Sequence, residues 1–138
     1  MSALVWLRVA HVVSAVLGVG SVGGVAVTAH AASRAGTLGA TPIVPMLRLT
    51  SIGFALTFLT GAALDLAAGG AFHDRWWFRI SGISMVVAGV LLGILRRRAR
   101  RAIAGDGAVS LPGLAWLAYG AAAVVAWITT LMELRPFQ

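Results

Sequence analysis

Three histidines and four methionines are the side chains of this 138-residue chain best suited to hold a metal or a prosthetic group; cysteine and lysine are absent. The lack of cysteine excludes disulfides, thiolate metal sites, iron–sulfur clusters and covalent haem attachment through Cys-x-x-Cys-His. His11 stands out among the histidines. It lies within Leu7-Arg8-Val9-Ala10-His11-Val12-Val13-Ser14, just inside a long apolar stretch. An imidazole at membrane depth is costly without a partner and marks a candidate functional site. His30 follows 19 residues later on the same stretch, which in a helix is about 28 Å away along the axis. The two cannot share a ligand, and His30, near Arg34, reads as an interfacial polar residue.

His11 has two readings. It is a ligand for haem or copper, because neutral imidazole is the commonest protein metal ligand, or it hydrogen-bonds to a neighbouring helix. Ser14, Ala15, Gly18 and Val22 continue its helical face with small side chains, leaving space for a flat macrocycle or for another helix. His73 belongs to the same side of the membrane, as do Met132 and Met85. Haem accepts His/His or His/Met axial pairs, and copper accepts His with Met. Arg8, Arg75, Arg79 and Arg135 gather on that side too; guanidinium groups suit haem propionates, and equally suit lipid headgroups.

Asp65 and Glu133 are the acids associated with the apolar stretches. Both are expected near the outer ends of their helices, paired with Arg75, Arg79 or Arg135. A Ser-His-Asp spacing, a phosphate-binding glycine loop and a His-Glu-x-x-His motif are all missing.

The elements that must position these residues follow from composition. The chain is 59% hydrophobic and 11% charged, with a mean hydropathy of +0.93; a water-facing surface cannot hide that excess. Four apolar segments, about 4–32, 46–68, 78–95 and 112–134, are each long enough to cross a ~30 Å hydrocarbon core. They predict an all-α, four-helix transmembrane bundle of up-down-up-down topology and a single domain, with the bilayer as its main partner. The first segment is too long for a signal-peptide apolar region, although Ala29-His30-Ala31 imitates a cleavage site. Gly69-Gly70 ends the second segment, the Arg96–Arg101 run ends the third, and Ser110 with Pro112 starts the fourth. Gly20 with Gly24, and Gly89 with Gly93, form small-xxx-small pairs suited to close packing within the chain or to a homodimer.

The net charge of +7 comes entirely from arginine. Because these residues fall between apolar segments, they point to headgroups and topology rather than to nucleic acid. Arg34, Arg48 and five clustered arginines lie on one side, against four on the other. The positive-inside rule therefore puts both termini outside a bacterial cytoplasmic membrane.

With Leu7-Arg8-Val9-Ala10-His11 followed by Gly18-Val19-Gly20-Ser21-Val22-Gly23-Gly24, and with Met132-Glu133-Leu134-Arg135-Pro136 near the end, the chain resembles a group of small bacterial integral-membrane proteins. The group includes the CopD-type copper-resistance proteins, the HemJ-type protoporphyrinogen oxidases and an uncharacterised four-helix family. The resemblance covers the first helix and the final turn, and it implies a haem- or metal-associated histidine in helix one. HemJ-type enzymes pair that histidine with a lysine in a later helix, which this chain lacks. The expectation is a b-type haem-binding protein for electron transfer or haem handling. His11 would be the axial ligand, His73 or Met132 the second, and Arg8, Arg75, Arg79 and Arg135 would lie near the propionates. Copper binding at His11 with Met132 or Met85, and an accessory subunit without cofactor in a membrane complex, are the alternatives.

Overall fold

The structure is a computed structural model that describes residues 3–38, 42–105 and 107–133. It contains four helices, α1 (Ala3–Ala35), α2 (Ile43–Ala67), α3 (Trp76–Ile103) and α4 (Leu111–Glu133). Strands are absent among the described residues, and each helix is long and apolar enough to cross a membrane. Large apolar side chains cover the outer surface, with Val16, Val27, Leu66, Ile83 and Trp116 all more than 60% exposed. In lipid such a surface carries no penalty, whereas in water it would drive aggregation. This is a multi-pass membrane protein.

The helices pack as a ring. α1 lies against α2 and α4, α3 closes onto α4, and the seam between α2 and α3 is the thinnest; the diagonal pairs do not approach one another. Contacts pair His11 with Thr60, Gly18 with Gly53 and Thr28 with Met46, so α1 and α2 run antiparallel. Packing is densest at the end that bears the arginine run, where Val22, Val25, Ile43, Leu47, Leu95 and Leu114 are almost completely buried. Alanines at 26, 29, 88, 99, 118 and 121 line the same core. Their small side chains let backbones close up.

Two boundaries differ from the sequence reading. α3 does not stop at Leu95 but continues through the arginine run to Ile103. Arginine is a strong helix former, and Leu95, Ala99 and Ala102 keep an apolar stripe against the bundle. α2 begins at Ile43 rather than Met46, with Pro45 in its first turn. There proline removes no hydrogen bond, because first-turn N–H groups have no intrahelical acceptor. At the other end of α2, Gly69 and Gly70 adopt φ of +67° and +76°, a left-handed conformation that favours glycine. Ser110 caps α4 as expected, its Oγ accepting from Gly113 N–H at 3.2 Å.

The closest helix approach is not made by the anticipated glycine pairs. A Cβ on Gly53 would stand 2.6 Å from Gly18 N and 2.8 Å from Gly18 Cα, so α1 and α2 cross there almost backbone to backbone. Gly20, Gly89 and Gly93 are exposed and have nothing within 4 Å of such a Cβ, while Gly24 faces the Met46 side chain.

Candidate functional site

His11 is half-buried on α1 and seats its ring on the backbone of α2. Gly61 makes the seat possible, since a Cβ there would lie 3.3 Å from His11 Cε1. His11 Nδ1 is 2.9 Å from Thr60 Oγ1. The direction of this bond follows from proton counting. Thr60 Oγ1 is 2.6 Å from the Leu56 carbonyl oxygen, which can only accept, so the single hydroxyl proton is spent there. Thr60 therefore accepts from His11 Nδ1–H. The neutral ring then carries its lone pair on Nε2, the arrangement in which histidine binds metals: one nitrogen donates to an orienting group and the other is the ligand.

Two cavities flank the ring. The larger, about 510 Å³, runs between α1 and α4 along Ala15, Val19, Val125 and Ile128. The smaller, about 120 Å³, opens between α2 and α3 along Phe58, Ala62, Phe78 and Ser81. His11, Thr57, Met85 and Met132 line both and form the waist between them. Walls of both are overwhelmingly apolar. Thr57 Oγ1 donates to the Gly53 carbonyl at 2.8 Å, leaving only acceptor capacity toward the cavities. Ser81 is 1% exposed, and its hydroxyl has no hydrogen-bond partner among the described residues.

The other residues singled out from the sequence are arranged differently. His73 does not line either cavity. Its ring packs over Gly70, 3.7 Å from Asp65 and 3.4 Å from Asp74, with 59% of the side chain exposed. Asp65 is not paired with Arg75 or Arg79. Its carboxylate accepts from Phe72 N–H at 2.8 Å, and its carbonyl accepts from Gly70 N–H, so it ties the α2–α3 loop to the end of α2. Arg79 donates instead to Asp74 at 2.8 Å and to the His73 carbonyl at 2.9 Å. Arg8 is exposed one turn outward of His11, and Arg75 is exposed at the N-cap of α3. Arg135 and the side chain of Glu133 lie outside the described residues. His30 is exposed and stands edge-on to Tyr119 of α4, with ring centroids 5.9 Å apart.

From the sequence, Thr57 and Gly61 share a helix face with Asp65 and Thr60 is one more polar member of the span, while Ser81 is not marked out. A faint signal was available: Thr57, Thr60 and Gly61 stand at i, i+3 and i+4, which is one helix face. Ser81 carries no such pattern. Among the described residues no three His, Asp or Glu side chains gather to hold a metal ion, so the donors at this site are one imidazole and two thioethers. Compared with known families, curated proteins and solved structures, the chain matches none.

Proposed function

We propose that this chain is a b-type haem-binding protein of a bacterial cytoplasmic membrane, with the up-down-up-down crossing and outward termini that its arginine distribution favours. The observation that carries the reading is the placement of His11, whose ring is oriented by Thr60 and lines a 510 Å³ cavity together with Met132 and Met85. A cavity of that size is of prosthetic-group scale, and the donor set supplies a His/Met axial pair. Haem would supply a one-electron centre there. The protein's part is to hold it: Thr60 fixes the imidazole and raises its basicity, Val19, Val125 and Ile128 exclude water, and Arg8 lies a turn toward the headgroups for a propionate. His73 recedes as second ligand, because it sits over Gly70 with the loop aspartates.

One observation favours copper as a second reading, with His11 and the thioethers of Met85 and Met132 lining both cavities. A single soft imidazole with two thioethers suits Cu(I). A lone ion, however, leaves the larger cavity unfilled. Expression in haem-replete cells followed by a visible spectrum and elemental analysis separates the two. A Soret band lost or shifted in His11→Ala supports haem. Stoichiometric copper without a Soret band, lost in the same variant, overturns haem in favour of copper.

A further inference from the structure

The α2–α3 seam is the thinnest of the bundle, and an open, apolar groove of about 330 Å³ follows it on the lipid side, lined among others by Ser51, Ala55, Phe58, Met85, Gly89 and Leu92. Phe58 and Met85 mark the end nearest His11, since they also line the cavity there, and Ser51 and Leu92 mark the other end. One turn further on, the two antiparallel helices carry Arg48, three residues before Ser51, and Arg96, four residues after Leu92. Residues three and four apart share a helix face, so both arginines continue the walls of the groove. Arg96 stands 20 residues beyond Trp76, about 30 Å along the axis, which is the thickness of the hydrocarbon core. The groove therefore ends at headgroup depth between two cationic side chains.

These cations lack a counter-charge. Arg48, Arg96 and Arg100, the next turn of the same α3 face, form no ion pair or side-chain hydrogen bond among the described residues. Arg48 is exposed. In Arg96 only Nε is enclosed, while the two Nη nitrogens stay at the surface without a protein acceptor. Arg96 and Arg100 repel each other as a like-charged i,i+4 pair, yet α3 runs on to Ile103; a bound anion relieves that repulsion. Asp65 and Asp74 lie at the opposite end, so among the described residues an ammonium headgroup finds no carboxylate here.

We propose that the α2–α3 seam is a binding site for one anionic phospholipid of the phosphatidylglycerol type. An acyl chain lies along Ala55, Phe58 and Gly89, and the phosphate accepts from Arg48 and from Nη of Arg96, with Arg100 adding charge beside it. Planar guanidinium forks suit phosphate oxygens. The site rests on the groove and its two arginines, not on a haem at His11.

The test is native mass spectrometry of the full-length protein, released from micelles that contain equal amounts of phosphatidylglycerol and phosphatidylethanolamine. One phosphatidylglycerol per chain is expected to be retained in preference to phosphatidylethanolamine. Arg48→Gln and Arg96→Gln should each weaken retention about 10- to 100-fold, because each removes a charged hydrogen bond. Arg98→Gln and Arg101→Gln remove the same charge from exposed positions on other faces of α3, and each should cost at most about 5-fold, the share of a general surface attraction. Gly89→Leu fills the groove without changing charge, at a position where nothing lies within 4 Å of a Cβ, and should also lower retention. Equal retention of the two lipids, or equal losses in all four arginine variants, would mean diffuse attraction and overturns the proposal. So does a wild type that carries no lipid, whether as a monomer or as a dimer whose second copy covers the groove, and so does undiminished retention in Gly89→Leu. The Soret band reports separately, so a colourless protein that keeps its lipid overturns the haem reading alone.

Discussion

The Gly18–Gly53 crossing controls how α1 and α2 meet, and Gly53→Ala tests it. The new Cβ would stand 2.6 Å from Gly18 N, and ordinary contact begins near 3.4 Å, so the helices must part by about 0.8 Å. The opposing atoms are backbone and have no rotamer to change. Seven residues on, His11 and Thr60 are held at 2.9 Å; the same displacement takes them to about 3.7 Å, beyond hydrogen-bond range. Overpacking of this kind costs about 1–3 kcal/mol and the lost hydrogen bond about 0.5–1.5 kcal/mol. The better helix propensity of alanine offsets about 0.5–1 kcal/mol. The expected net loss is about 0.5–4 kcal/mol. Gly89→Ala is the control: nothing lies within 4 Å of its Cβ, so it should gain about 0.5–1 kcal/mol from the same propensity. Reversible unfolding in mixed micelles, titrated with denaturing detergent, measures both. The reasoning is refuted if Gly53→Ala is as stable as the wild type, or is no worse than Gly89→Ala.

Three further outcomes follow from local geometry. Thr60→Val removes the acceptor for His11 Nδ1–H and should weaken haem retention about 10- to 100-fold, read as haem transfer to an apo-globin; unchanged retention would show that the ring is oriented by something else. Asp65→Ala strands the Phe72 N–H and should cost about 1–3 kcal/mol with faster hydrogen exchange at that amide, whereas Asp65→Asn, which keeps an acceptor, should restore most of the protection. Ser110→Ala deletes the α4 cap and should lower stability by about 0.5–2 kcal/mol in the same detergent titration.

Much of the architecture was legible because a bilayer imposes it. Stretches such as Val9–Ala32 must satisfy their backbone internally, so apolar length alone gives a helix. Helix ends beyond the bilayer are set by other forces, which is why α3 runs on through Arg96–Arg101 and α2 starts ahead of Pro45. Glycine spacing was ambiguous for a geometric reason: Gly89-x-x-x-Gly93 and Gly18 carry the same information in one dimension, and only the neighbour's position decides which is pressed against a backbone. His11 was legible as an anomaly of cost, and the two methionines as chemically apt. Its partner was not, because Thr60 is 49 residues away and resembles every other threonine in the spans. The loop histidine shares a side of the membrane with His11 but lies over Gly70, 3.7 Å from Asp65 and 3.4 Å from Asp74, where neither cavity reaches it.

Nε2 of His11 is the proposed ligand to haem. A visible spectrum of protein purified from haem-replete cells, beside that of His11→Ala, tests this most directly. The prediction is a Soret band in the wild type that is lost or displaced in the variant. A colourless wild type, or an identical band in both proteins, would contradict it.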